Sequence, residues 1–507
     1  MSDQQLSPTS QNSAAKAKDF DLVSYAKLFY PPKEVEVISR AVDLARTAHT
    51  GQYRKSGWEY INHPLNVAKI LVDWKMDLNS VVAGVLHDVI EDTDYTFEQI
   101  RDEFGEDVAF LVDGVTKVSV ARSGMKDLSK YAAQTTDNLA KLLIATSQDV
   151  RVIIVKLADR LHNLSELQYL KPEKQLKIAR ESLEVFAPMA DRIGMGRVRM
   201  QIEEISFRYL DPKRYHFLEK LMRKRLGKST RRLGIVRLEV EKELKRNKIN
   251  FEINGRVKSI YSLHKKMLKK HDNIDDIYDL IALRIIVESK DDCYRVLGIL
   301  HSIYQPMVAR IKDYIAVPKA NGYQSLHTTV ITPTKQIVEF QIRTRDMHQY
   351  AEQGLAASFH YHQQKSSKNY LKRGVSSVLP TNLQWISQLQ EVAHKLTNHE
   401  EIDRDQLTID LFKDRIFVYS PKGDIYNLPD GALPLDFAYQ VHSKIGGHAY
   451  GFLINNRMAA FNTPLQNGDL VEVLTKKSVN PRPDWLDLVT TSHARAKLKA
   501  QLKRQTK

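Results

Sequence analysis

The chain has 507 residues, 42% of them hydrophobic, ample for about three or four separately packed domains. Lys and Arg outnumber Asp and Glu by 76 to 61, a formal charge of +15 that favours anionic partners such as nucleotides, RNA or ribosomal surfaces. One cysteine, Cys293, excludes an internal disulfide, and no long apolar run or basic-plus-apolar leader suggests export or membrane insertion, so a cytoplasmic location is expected.

Residues 1–24 are rich in Ser, Gln, Asn and Lys, have few large apolar groups to bury, and are expected to be disordered. From Val35 apolar residues recur at spacings of three and four (Val37, Ile38, Ala41, Leu44, Ala45, Ala48), and similar runs continue to about residue 210. Residues 25–200 therefore read as an all-helical domain.

Within it lie polar residues that helical packing does not require. Arg54-Lys55-Ser56-Gly57 precedes Asn62-His63-Pro64, where Asn62 or His63 can cap a helix whose first turn accepts Pro64. The run from Ser80 to Asp92 reads as one helix, pairing His87 with Glu91 and Asp88 with Asp92 at i,i+4. A third apolar helix, from Val152 to Asn163, ends with Asp159 and Asn163 one turn apart. His63, His87, Asp88 and Asp159 together form a mixed nitrogen and oxygen set that suits Mn²⁺ or Fe²⁺ rather than a thiolate zinc site. Such a metal lowers the pKa of bound water and polarises a phosphoryl oxygen, while Glu91 and Asp92 are placed to orient that water or carry its proton.

Residues 201–249 place many Lys and Arg among apolar positions at helical spacing, a basic helical connector. At Phe251 the pattern changes to shorter runs mixing strands and helices, so residues 250–365 read as a mixed α/β domain. Arg256, Lys258 and Ser259 stand before a helix, where a polyphosphate can be received. The apolar strand from Ile277 to Val287 carries one acid, Asp279, suited to Mg²⁺, and one base, Arg284. Strict alternation puts those two on opposite faces, so a shared site requires the strand to be irregular or to end nearby.

Between Arg310 and Thr328 the cations Arg310, Lys312 and Lys319 surround a single carboxylate, Asp313. The chain then turns through Asn321-Gly322 and presents Tyr323, Gln324, Ser325 and His327, a composition suited to phosphates and a stacked base. On the strand from Ile337 to Arg343, Glu339, Gln341 and Arg343 share one face while Val338, Phe340 and Ile342 share the other. Glu339 can accept a proton from an attacking hydroxyl. Residues 366–405 read as a polar linker, residues 406–476 as short strands with Pro/Gly turns, and residues 477–507 as a basic tail.

Several of these segments together resemble the RelA/SpoT homologue family, which makes and degrades the alarmone (p)ppGpp. They are Arg54-Lys55-Ser56-Gly57, His63-Pro64, His87-Asp88-x-x-Glu91-Asp92, Lys156-x-x-Asp159-Arg160-x-His162-Asn163, Arg256-x-Lys258-Ser259, Lys312-Asp313 through His327, and Glu339-x-Gln341-Ile-Arg343. The resemblance implies an HD-type hydrolase domain, a nucleotidyltransferase-like synthetase domain and, over residues 406–476, a small β-grasp TGS domain. It also implies a short form lacking the family's C-terminal ACT region.

By the same resemblance His63, His87, Asp88 and Asp159 bind Mn²⁺, Glu91 and Asp92 serve the attacking water, and Arg54, Lys55 and Asn163 contact the nucleotide. In the synthetase domain Arg256 and Arg284 are implied at adenine, Lys258 and Ser259 at the ATP phosphates, Asp279 at Mg²⁺, Tyr323 on guanine with His327 nearby, and Glu339 as general base. Lys312, Lys319, Gln324, Gln341 and Arg343 complete the implied nucleotide site. ATP, GDP or GTP, and (p)ppGpp are the implied substrates and products, and His442 marks an implied tRNA contact. Two alternatives remain open: a mainly hydrolytic enzyme with a weak synthetase, motivated by Ser358-Phe359 where the family usually has His-Trp, and a tRNA- or ribosome-binding regulator.

Overall fold

Helix α1 (Pro32–Ala48) starts with Pro in its first turn and buries the Val35, Ile38, Ala41, Val42 and Ala45 stripe. It belongs to a computed structural model that describes residues 20–116, 138–269, 281–319, 321–357, 389, 415–466 and 468–505. The expectations for residues 1–19, for nearly all of the 366–405 linker, and for Asp279 and Ser358-Phe359 lie outside the described residues; at residues 20–24 the expected disorder is corrected, since a short helix, Leu22–Ala26, is capped by Asp21 and buries Leu22 in the helical core.

Helices α2 (Asn62–Asp73), α3 (Leu78–Leu86), α4 (Val89–Asp92) and α5 (Arg151–Ser165) carry the polar residues singled out above. Helix α3 is capped by Asp77, whose side chain accepts from the Ser80 amide, and is buried along nearly its whole length. Gly84 lets it approach α2 closely, since a Cβ there would lie 2.5 Å from Leu71 Cδ1. Two local expectations are corrected. Helix α2 begins at Asn62 with no side-chain cap, and Asn62 instead donates to the Glu59 carbonyl. The run to Asp92 is not one helix: it breaks at His87-Asp88 and resumes as a single turn. The break turns His87 and Asp88 toward a common point that an unbroken helix would spread over different faces.

Helices α6 (Gly196–Leu210) and α7 (Pro212–Arg246) occupy the basic stretch. Its apolar positions are used: Leu233, Val236, Val240 and Leu244 pack into the core of the following sheet, and Phe207, Tyr215, Leu218 and Met222 pack on α8 (Ile260–Lys269). The sheet contains β1 (Phe251–Val257), β2 (Ile281–Val287), β3 (Gln305–Pro306), β4 (Lys312–Asp313), β5 (Leu326–Ile331) and β6 (Ile337–Thr344). Its order is β1-β2-β6-β5-β3 with β4 also on β5, and only β2 and β6 run parallel. Helix α9 (Lys290–Ile303) covers one face through Cys293, Val296 and Leu300. The other face carries Arg284, His327, Glu339 and Gln341.

The helical domain and the sheet domain touch at the Asn321 turn and the end of α10 (Arg345–Gln353). Asn321 Nδ2 donates to the Asp191 carbonyl at 3.1 Å, and the Leu355 amide donates to the Ile193 carbonyl at 2.9 Å. Gly354 sits here at φ +58°, with Ile193 O only 2.3 Å from where a Cβ would be. Gly354→Ala should therefore force the two domains apart, lowering stability by about 2 kcal/mol or more. A thermal melt of the whole chain measures it, and an unchanged midpoint would show that the contact yields freely.

The C-terminal part has a β7 (Arg415–Tyr419) and β8 (Ile425–Pro429) hairpin, helix α11 (Pro434–Val441), and a sheet of β9 (Ala449–Ile454), β10 (Arg457–Ala459) and β11 (Val471–Thr475) in the order β10-β9-β11. The expectation of a separate basic tail is corrected. Trp485, Val489, Ala494 and Leu498, the last two on α12 (Ser492–Gln505), share a core with Leu435 and Phe452. Buried Asp436 fastens this segment by accepting from the amides and hydroxyls of Thr490 and Thr491. Burial of Ala494 and Leu498 outweighs the solvation of the exposed Lys497 and Lys499, while Arg495 turns back to donate to the Val489 carbonyl at 3.1 Å. Among the described residues no helix is long and apolar enough to cross a membrane.

Candidate active sites

The first site lies where α2, the α3–α4 break and α5 converge. His63 in the first turn of α2 and His87 at the end of α3 are almost fully buried, with their Nε2 atoms 3.2 Å apart. Asp88 Oδ2 lies 3.2 Å from His87 Nε2 and 3.5 Å from His63 Nε2, and Asp159 Oδ1 lies 3.3 Å from His63 Nε2. The four predicted ligands are thus brought to one point. His87 Nδ1 donates to the Gly84 carbonyl at 2.9 Å, and His63 Nδ1 meets His162 Nδ1 at 2.8 Å, so both rings turn Nε2 inward.

Electrostatics agree with a cation site. Burial disfavours the His63 cation and lowers its pKa. Burial acts the same way on His87, but the charges of Asp88 and Asp159 outweigh it and raise that ring to about 9. Burial would also raise both carboxyls; at Asp88 the His87 charge, and at Asp159 the Lys156 and histidine partners, prevail and hold them below the usual range. Two carboxylates beside two imidazoles therefore favour positive charge at this point, and a divalent cation binding there would compete with protons for the rings. Among the described residues, His63, His87 and Asp88 form a group whose ligand atoms all lie within 4.8 Å of one another. The residues fit a divalent metal.

Around this point opens a cavity of about 540 Å³ lined by Arg54, Lys55, Glu91, Asp92, Lys156 and Asn163 among others. Residues 52–60 form a hairpin-like loop in which the Arg54 amide donates to the Trp58 carbonyl and the Tyr60 amide to the Gln52 carbonyl. The loop holds Arg54 and Lys55 over the cavity. Arg54 donates to Glu166 Oε2 at 2.7 Å and to Asn163 Oδ1 at 2.8 Å, and the Asn163 amide donates in turn to Asp159. Asn163 so links the cationic wall to the candidate ligands. Sequence reasoning assigned nothing to Tyr60, His162, Lys156 or Glu166; only the spacing of Lys156 and His162, each three residues from Asp159, could have flagged two of them.

The second site is the open face of the sheet. Register places Arg284 opposite Gln341, Gln341 opposite His327, and His327 opposite Lys312, so these side chains share a face across four strands. Arg256 and Glu339 lie opposite Ala282 and Thr329, two residues along, and join the same face. Arg256 donates to Gln341 Oε1 at 3.1 Å and Gln341 to Glu339 Oε1 at 3.1 Å; Lys258 Nζ stands 4.0 Å from Glu339 Oε2. Ser259 caps α8 by accepting from the Ser262 amide.

The Tyr323 hydroxyl and His327 Nε2 are hydrogen-bonded at 2.9 Å, and Lys319 lies over the Tyr323 ring at 5.1 Å. Gln324 donates to the Ile315 carbonyl at 3.4 Å. Arg284 and the buried Arg343 both face Glu352 of α10, at 3.2 and 3.6 Å, a carboxylate that sequence reasoning missed. In the C-terminal part His442 is exposed at the end of α11, where its Nδ1 accepts from the Lys444 amide.

Burial and then the neighbouring cations lower His327 to about 3, and burial and then Arg343 lower His348 to about 4. The unfolded chain protonates both near pH 6.5, so their contribution is complete above that pH and is lost as pH falls toward 4. The melting midpoint should drop by roughly 4 °C or more between pH 7 and pH 5, a change read by calorimetry. A midpoint constant over that interval would mean the rings are not held neutral.

Fold and sites define a helical HD domain with a divalent-metal site, joined to a mixed α/β synthetase-like domain and a TGS domain. The corresponding family models match residues 41–196 (HD domain), 255–366 (region found in RelA/SpoT proteins) and 416–475 (TGS domain). The chain belongs to the RelA/SpoT family. It is 40% identical over 493 residues to a probable GTP pyrophosphokinase of Mycobacterium leprae, covering 97% of this chain and 62% of that protein. It is 41% identical over 481 residues to a guanosine-3′,5′-bis(diphosphate) 3′-pyrophosphohydrolase of Aquifex aeolicus, covering 94% and 66%. It is 40% identical over 475 residues to the bifunctional (p)ppGpp synthase/hydrolase SpoT of Escherichia coli, again covering 94% and 66%. The chain therefore spans less than two thirds of the length of these curated relatives.

Proposed function

We propose that this chain is a bifunctional alarmone enzyme that hydrolyses the 3′-pyrophosphate of (p)ppGpp and, in its second domain, transfers pyrophosphate from ATP to the 3′-hydroxyl of GDP or GTP. The observation that carries the reading is the convergence of His63, His87, Asp88 and Asp159 beneath a cavity walled by Arg54 and Lys55. A pocket with a cation site at its floor and cations at its wall suits a phosphate ester. The names of the relatives support the same substrate class.

For hydrolysis, His63, His87, Asp88 and Asp159 hold Mn²⁺, which when bound supplies Lewis-acid polarisation of the phosphoryl oxygen and a more acidic water. Arg54, Lys55 and Asn163 hold the nucleotide's phosphates. Glu91 and Asp92 orient the attacking water and take its proton, so that the phosphorus to O3′ bond breaks, releasing pyrophosphate and leaving the proton for the ribose oxygen.

For synthesis, Lys258 and Ser259 receive the ATP phosphates at the start of α8, with Arg256 and Arg284 beside the adenine. Tyr323 and His327, with Lys312, Lys319, Gln324, Gln341 and Arg343, form the acceptor side. Glu339 takes the proton of the 3′-hydroxyl as it attacks the ATP β-phosphorus, and AMP leaves. Mg²⁺ is assigned to Asp279. The TGS domain is read as a tRNA or ribosome contact near exposed His442, and the location as cytoplasmic.

The reading is tested with two assays on purified protein. Mn²⁺ with ppGpp should release pyrophosphate, and Mg²⁺ with ATP and labelled GDP should yield labelled ppGpp. Release without any synthesis would reduce the chain to a hydrolase, and neither activity would end the proposal.

A further inference from the structure

The residue beside the first site that carries an unassigned role is Tyr60. Its hydroxyl lies 2.9 Å from Asp88 Oδ2 and 2.7 Å from Asp92 Oδ2, bridging a candidate metal ligand and a candidate water-orienting acid. The phenol has one proton for two carboxylates, so it donates to one at a time or shares the proton between them, and it keeps both side chains beside one fixed oxygen.

The ring is itself fixed. It stacks on His49 at 4.7 Å and 25°, meets His63 edge-on at 6.2 Å, and has the Arg54 guanidinium 5.5 Å above it. The same hairpin grips the acid from the backbone side: Gln52 Nε2 donates to the Asp92 carbonyl at 2.9 Å, and His49 Nδ1 meets Gln52 Oε1 at 2.8 Å. Asp92 needs such a grip. It is exposed and ends a four-residue helix, so an untethered carboxylate would rotate into solvent.

We infer that Tyr60 is a positioning residue of the hydrolase site, holding Asp88 in the ligand set and Asp92 toward the reacting water, with Gln52 and His49 as its support. The inference rests on the hydrolase reading above. Outer partners of metal ligands typically affect metal affinity or activity by about 10- to 100-fold.

Tyr60→Phe removes the hydroxyl while keeping the ring on His49 and His63. On metal-free protein, the Mn²⁺ affinity read from the free-ion electron paramagnetic resonance signal should fall about 10-fold. At saturating Mn²⁺, kcat for pyrophosphate release should fall about 10- to 100-fold with KM changed by less than about threefold, because Arg54 and Lys55 still hold the substrate. Gln52→Leu should lower kcat in the same direction without changing Mn²⁺ affinity, since it touches Asp92 and not Asp88. A Tyr60→Phe protein with wild-type Mn²⁺ affinity or wild-type kcat overturns the inference. If the wild-type protein releases no pyrophosphate, the hydrolase reading fails, while the Mn²⁺ titration still decides whether Tyr60 supports the ligand set.

Discussion

Asp88→Ala should abolish Mn²⁺-dependent breakdown of ppGpp, by about 10³-fold or more, and leave synthesis at its wild-type rate. The carboxylate lies 3.2 Å from His87 Nε2 and 3.5 Å from His63 Nε2, so its removal takes both an oxygen ligand and a negative charge from the point where the rings converge. Lewis-acid stabilisation is worth several kcal/mol, and each 1.36 kcal/mol is tenfold in rate, hence the magnitude. The side chain of Asp88 meets Tyr60, His63 and His87, all in the helical domain, so the activity of the sheet domain serves as an internal measure of folding. Pyrophosphate release and labelled ppGpp formation, measured on the same preparation, check the prediction. Hydrolysis persisting above a tenth of wild type would mean that the His-His-Asp cluster is structural.

Glu339→Gln should do the reverse, cutting synthesis by about 10²- to 10⁴-fold while hydrolysis continues. The substitution keeps shape, and the amide oxygen still accepts from Gln341 Nε2, which lies 3.1 Å from Glu339 Oε1, so the sheet should fold normally. What is lost is a proton acceptor standing among Lys258, His327 and Gln341. His327 does not replace it readily, because neighbouring cations and burial make that ring a weak base. If Glu339→Gln retains wild-type synthesis, the 3′-hydroxyl is activated by another group.

The two sites were legible to different depths. The ligands of the first were readable because each falls in a short polar interruption of a strongly apolar helical run, where core packing gives no reason for His63, His87, Asp88 or Asp159 to be polar. Their convergence depended on a feature the pattern concealed, the break at His87-Asp88, since helical periodicity continues across it. In the second site the working face of β6 was readable from alternation alone. The side chains that complete it come from four strands and α10, and no local spacing relates Glu352 to Arg284 and Arg343, or Arg256 to Gln341.

The amino-acid sequence by itself determined the division into a helical part and a strand-bearing part, the candidate ligands, and Glu339 as the acid of the sheet. These follow from periodicity and residue chemistry, which are local properties of the chain. Only the tertiary structure decided which groups meet: Tyr60 on Asp88 and Asp92, His162 behind His63, Asn321 on Asp191, and the C-terminal helix folded onto the TGS core instead of trailing as a tail. Each joins residues far apart in sequence, and such contacts are set by the packing of whole elements rather than by any neighbouring residue.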